Sequence, residues 1–108
     1  MNDCGCNIGD RPYVGTKLKY ALTISAEGFN MENDDFDVLL KRGPNSMLLK
    51  KEDLVVDDNG QYYVCFDSTP LGPGVVSAII TARVPDDDFP DGVRDEVFKL
   101  VLAELLGV

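Results

Sequence analysis

Apolar and polar residues alternate with a period of two along much of the chain, and that period belongs to strands. In 17-KLKYALTIS-25, Leu18, Tyr20, Leu22 and Ile24 share one side, while Lys17, Lys19, Thr23 and Ser25 share the other. After the turn-rich 26-AEGFNMENDD-35, the segment 36-FDVLLKR-42 places Phe36, Val38 and Leu40 together, and Gly43-Pro44-Asn45 interrupts it. A short strand is expected at 47-MLLK-50. The strongest local pattern is 54-LVVDDNGQYYVCFD-67, two apolar runs flanking Asp57-Asp58-Asn59-Gly60. Asn59-Gly60 tolerates the positive φ angles of a tight turn, so this segment predicts a β-hairpin. On its second strand Tyr62, Val64 and Phe66 should face one way, and Tyr63 and Cys65 the other.

Pro70 and Gly72-Pro73-Gly74 reset the chain before 75-VVSAIITARV-84. There Val76, Ala78, Ile80, Ala82 and Val84 line one face, and the β-branched content favours a strand. The last segment, 97-VFKLVLAELLG-107, is apolar nearly all round. It contains good helix formers, but it follows an unbroken series of strands and turns. A buried final strand is therefore expected, with Phe98, Leu100 and Leu102 on one side.

Six or seven short antiparallel strands with Pro/Gly turns predict an all-β fold, a β-sandwich, of which an immunoglobulin-like sandwich without its disulfide is one form. There is no tryptophan, and the three cysteines are not spaced as the Cys…Trp…Cys set of antibody domains, so no inter-sheet disulfide is expected. Residues 1–15 hold glycines and prolines with little periodicity and are read as a loosely ordered arm, leaving a single domain over residues 16–108. The length, 108 residues, suits one core without metal or disulfide staples, since about 65% of the unfolded surface is buried at this size.

Charge narrows the partners. Ten basic against nineteen acidic residues give a net charge of −9, which repels phosphate backbones and anionic membranes. Neither nucleic acid nor membrane is expected as a partner. Another protein is, and one with a cationic patch suits this surface. The start, MNDCGCNIGDRPYVG, lacks the apolar core of a signal peptide, and no run of about 18 apolar residues is present to span a bilayer. An intracellular site of synthesis, in a reducing compartment, is the expectation.

The chemistry is sparse. Histidine is absent, which removes the commonest general base and the usual catalytic relay. No catalytic residue is assigned and no enzyme activity is expected. Cys4-Gly5-Cys6 is too short for the usual redox spacing and too few for zinc, and Cys65 falls mid-strand. The acidic turn 84-VPDDDFPDGVRDEV-97 offers Asp86, Asp87, Asp88 and Asp91 as candidate calcium ligands. Counted from Asp86, however, the fifth loop position is Pro90 and the sixth is Asp91, which breaks the EF-hand pattern. The simpler expectation is a solvated turn fixed by its prolines, with no metal and no cofactor. Calcium or carbohydrate binding through loop acids and Tyr13, Tyr20, Tyr62 and Tyr63 stands as the alternative.

The order of motifs carries a resemblance. The strand Tyr20–Ser25 leads through Glu27-Gly28-Phe29 to Phe36-Asp37-Val38-Leu39-Leu40. The Asn59-Gly60 turn follows, then Val64-Cys65-Phe66-Asp67, Leu71-Gly72-Pro73-Gly74, and Arg83-Val84-Pro85-Asp86-Asp87-Asp88-Phe89-Pro90-Asp91-Gly92-Val93-Arg94. Over residues 16–106 this resembles a small domain of Bacteroides-type phage and prophage proteins. It is similar in pattern to the immunoglobulin-like N-terminal domains of phage upper-baseplate and tail-fibre proteins. The resemblance implies a structural, non-enzymatic protein-interaction module that binds another structural protein or itself and is carried in a phage particle. On that reading the acidic stretch enters the last strand, Phe89 tucks inward, Arg94 pairs with a nearby aspartate, and Leu105, Leu106 and Val108 form a docking patch.

Overall fold

Seven strands follow the period-two segments among residues 11–108, which are the ones this computed structural model describes. They are β1 (Lys17–Leu22), β2 (Phe36–Arg42), β3 (Asn45–Lys50), β4 (Val55–Val56), β5 (Tyr62–Asp67), β6 (Gly74–Pro85) and β7 (Val93–Leu105). Cys4 and Cys6 lie outside the described residues. One sheet has the order β1-β5-β4 and the other β3-β2-β6-β7, and all their pairings are antiparallel. The protein is an all-β sandwich. Its strand orders match B-E-D and C′-C-F-G of immunoglobulin-type sandwiches.

The inner faces are those the alternation marks. Phe36, Val38 and Leu40 of β2 and Val76, Ala78, Ile80, Ala82 and Val84 of β6 are buried, and Leu22, Val64 and Phe66 cover them from the smaller sheet. Phe36 meets Phe29 and Tyr62 edge-to-face, with ring centroids 6.2 and 5.6 Å apart, an arrangement the aromatic quadrupoles favour.

The turns are set by local chemistry. Gly43-Pro44 is a two-residue hairpin loop between the paired Arg42 and Asn45. Gly43 has φ +55°, the left-handed value that glycine supplies at the first loop position. Instead of breaking the chain before a short strand, this turn starts β3 at Asn45. Arg42 Nε and Asn45 Nδ2 then both donate to the Leu71 carbonyl, at 2.8 and 2.9 Å, pinning the β5–β6 connection to that hairpin. In the loop that opens at Asp57 only Gly60 takes a positive φ. The turn is a five-residue loop, 57–61, between the paired Val56 and Tyr62, and its amides converge on Asp57, with Asn59 N and Gln61 N donating to Oδ1 at 2.9 and 3.0 Å.

The final segment is a strand, as expected, but it begins earlier, at Val93. It also carries a bulge: Val76 pairs with Ala103 and Ser77 with Val101, so Leu102 has no partner in the register. The extra residue shifts the alternation. Phe98 and Leu100 face inward opposite Ile80 and Ala78, and beyond the bulge Ala103 and Leu105 take over. A simple period of two across Leu102 therefore does not hold.

Candidate functional site

The acidic turn joins the two longest strands. Its ends are Val84 opposite Arg94 and Pro85 opposite Val93. Backbone bonds close it: Asp86 N donates to the Gly92 carbonyl and Gly92 N to the Phe89 carbonyl, both at 2.9 Å. Asp86 is absorbed by this geometry. Its Oδ1 accepts from Asp88 N at 3.0 Å, and its Oδ2 accepts from Arg94 Nη1 at 2.6 Å. Arg94 also donates to Glu96 at 3.1 Å. Glu96 first, and Asp86 after it, raise the Arg94 pKa above its ordinary value. Asp87, Asp88 and Asp91 are exposed. Among the described residues, no group of three or more His, Cys, Asp or Glu side chains is placed to hold a metal ion. The pairing of Arg94 with an aspartate is thus present, to Asp86. Phe89 departs from expectation, since it does not tuck inward and is 43% exposed. The turn extends past Val84, where the core ends, so no apolar layer lies beneath Phe89.

The tyrosines do not share a surface. Tyr20 lies against Phe66 and Tyr62 against Phe36, both on the core side. Tyr63 is on the opposite face, where its hydroxyl donates to Asp57 Oδ2 at 3.2 Å and Lys19 Nζ sits 4.5 Å from its ring centre. Tyr13 is exposed beside the C-terminal end of β7. Of the expected C-terminal docking patch, Val108 is fully exposed and Leu106 half-buried, but Leu105 is not available. Leu105 is buried in the core, and Leu106 is tied by its backbone to Pro12 and Val14.

The feature that stands out is the outer face of the four-stranded sheet. Cross-strand register assembles it in rows. Leu48, Leu39 and Ile79 lie side by side and end at Lys99. The neighbouring row runs from Lys50 through Asp37 and Thr81 to Val97, and the row on the other side from Ser46 through Lys41 and Ser77 to Val101. Leu48, Val97 and Val101 are 52%, 63% and 66% exposed. At one edge Arg83 bridges Asp37 and Asp35, at 2.9 and 3.3 Å. The Asp37 hydrogen bond is the main cause that raises the Arg83 pKa. The face is thus one short apolar row of Leu48, Leu39 and Ile79, set between mixed rows that carry charges and end in the exposed Val97 and Val101, a polar-rimmed pattern that protein contact surfaces share.

No residue of this face was picked out from the sequence as a site. The signal was present in the two-sided apolarity of 97-VFKLVLAELLG-107. That pattern reads equally as a strand buried on both faces, and β7 is buried on one face only. Comparison with family models, curated proteins and solved structures finds no match to this chain. No helix among the described residues is long and apolar enough to cross a membrane.

Proposed function

We propose that the domain is a non-enzymatic structural module that works by protein–protein contact through the outer face of its four-stranded sheet. The carrying observation is the apolar row of Leu48, Leu39 and Ile79 across this well-paired sheet, with exposed Val97 and Val101 flanking Lys99 at its β7 end. The partner is another structural protein or a second copy of the chain. The resemblance to phage tail and baseplate domains supplies the setting, a part of a phage particle. The acidic balance, −9 overall, favours a partner whose contact surface is rimmed by basic residues.

The test is light scattering across a concentration series, alone and mixed with the proteins encoded beside this one, for the wild type and for the Val97→Lys/Val101→Lys variant. Association that the double variant abolishes, with its far-UV spectrum unchanged, is the expected outcome. A chain that stays monomeric and binds none of its gene neighbours ends the reading. Neighbouring genes with no tail, baseplate or portal products remove its phage setting.

A further inference from the structure

The longest strand of the fold stands at an edge. β7 runs for 13 residues and, among the described residues, pairs along its length only with β6. Near its C-terminal end the other edge is taken. Leu106 N donates to the Pro12 carbonyl at 2.8 Å, Val14 N donates to the Leu106 carbonyl at 2.9 Å, and Arg11 lies beside Glu104 at 3.5 Å. The bulge at Leu102 breaks the regular ladder just before that point. The regular, open stretch is therefore Val93 to Val101, and its midpoint is Val97. It contains no proline, and such a row of outward amides and carbonyls is a template for another strand. On its inner side a cleft of about 310 Å³, lined in part by Ile24, Phe98 and Leu100, leaves room beside the edge.

The charges on this stretch complement themselves. When β7 pairs antiparallel with a second β7, outer residues stay outside only if the register is centred on a residue. Centred on Val97, that residue meets its own copy, Asp95 meets Lys99 on both sides of it, and Val93 meets Val101. Neighbouring registers lose this match. A centre at Glu96 or at Lys99 opposes two like charges, and a centre at Phe98 sets Lys99 against Val97. Asp95 and Lys99 are both exposed, and neither forms a salt bridge among the described residues. Arg83, opposite Asp95 across the ladder, bonds Asp37 and Asp35 instead. On the inner face the register centred on Val97 brings Arg94 opposite Leu100, which is 43% exposed although it faces inward. The apolar stem of an arginine covers such a side chain while its head stays wet.

We propose that two copies of the chain join β7 to β7 across a two-fold axis at Val97, so that two four-stranded sheets become one continuous sheet. Asp95 and Lys99 select the register, and the backbone ladder from Val93 to Val101 supplies the contact. The net charge of −9 on each copy works against association at low salt. At about 0.15 M salt, screening over about 8 Å removes most of that repulsion, while charges in contact still attract. The pairing uses the edge of the sheet and leaves its outer face uncovered. It therefore stands or falls apart from contact through that face.

Charge reversal tests it, because both members of each pair lie on one strand. Lys99→Glu alone opposes two carboxylates at each pair, and Asp95→Lys alone opposes two ammonium groups. Each should weaken self-association at least about tenfold in analytical ultracentrifugation, with the circular dichroism unchanged. An equimolar mixture of the two variants should recover the dimer, since every opposed pair then joins unlike charges. Cross-linking reads the register in a chain carrying Cys4→Ser, Cys6→Ser and Cys65→Ser. Val97→Cys should give a disulfide-linked dimer on mild oxidation, because opposed residues of paired strands lie within disulfide reach. Val101→Cys should not, since its two copies lie roughly 27 Å apart in this register. A wild type that stays monomeric at the highest soluble concentration overturns the proposal. So does association of either single variant as strong as the wild type's, or a mixture that associates no better than its components. Equal cross-linking at 97 and 101 overturns it too, and points to packing of the outer faces instead.

Discussion

In the four-stranded sheet β6 pairs with β7 over twelve residue pairs and with β2 over six. In the three-stranded sheet β5 pairs with β1 over six and with β4 over only two. The burial follows the pairing. Phe36, Val38, Leu40 and Val76, all of the larger sheet, are completely shielded, whereas Leu22, Val64 and Phe66 of the smaller sheet keep 4–7% exposure. The larger sheet is thus the scaffold, and the smaller one a cover too narrow to shield Leu100, although Phe98 packs against the core. Two consequences follow. The outer face proposed for recognition lies on the more extensively paired sheet, and a preorganised contact surface loses less entropy on binding. Openings start in the smaller sheet, where short strands carry few bonds to hold them.

The sharpest way to break this comparison is to cut into each sheet in turn. Phe36→Ala removes the ring at the meeting point of Phe29 and Tyr62 and should cost about 3–5 kcal/mol in urea unfolding. Val55→Ala, on the half-exposed two-residue β4, should stay within about 0.5 kcal/mol. Equal losses at the two sites would mean that the smaller sheet carries as much of the fold as the larger.

A smaller effect comes from the seam between β1 and β5. Ser68 is completely buried and sits just past β5. Its hydroxyl donates to the Thr16 carbonyl at 2.7 Å and accepts from Gly15 N at 3.0 Å. Ser68→Ala takes the acceptor from Gly15 N, while the Thr16 carbonyl keeps the Ser68 amide at 3.2 Å, and should cost about 1–3 kcal/mol. Hydrogen exchange should quicken most in β1. A loss spread evenly over both sheets would show that this seam is not local to the smaller one.

The inner faces were legible from the sequence because β2, β5 and β6 obey a strict period of two, and burial reads parity directly. The Asp57–Gly60 hairpin was legible from its turn residues. The bulge at Leu102 was not, because it falls within Leu100–Ala103, four consecutive apolar residues whose parity cannot be read one by one. Phe89 was misplaced for a related reason. Aromaticity suggests burial, but burial needs a layer to enter, and the length of β6 beyond the core is a tertiary fact. The outer-face strip escaped notice because it is built from residues of four strands, brought together only by register. The acids read as decoration of turns, and Asp86 and Asp57 do serve their own turns, each through hydrogen bonds within a few residues of itself.

That local service gives the smallest of the expected effects, and it sharpens the comparison at the two acidic turns. Asp57 is pulled below its ordinary pKa, chiefly by the Gln61 amide; desolvation, the next cause in size, opposes it, and the Asn59 amide, the Tyr63 hydroxyl and Lys19 add to the lowering. A carboxyl whose folded pKa is depressed binds its proton less readily folded than unfolded. Its stabilisation is therefore complete above the unfolded aspartate range, about pH 4, and is lost as pH falls through the lower folded value. Asp67 adds in the same sense, through Thr69. Both lie on β5 or its turn, so acid should loosen the smaller sheet first. Exchange of the Val56, Tyr62 and Tyr63 amides should accelerate between pH 4 and 2, relative to Ile79 and Ile80, more than the intrinsic rate accounts for. In Asp57→Asn that extra acceleration should shrink, and the gap in stability between variant and wild type should narrow as the pH drops. If acid instead loosens β6 and β7 in step with β5, the cover and the scaffold are a single cooperative unit, and the inequality drawn from their pairing does not extend to their dynamics.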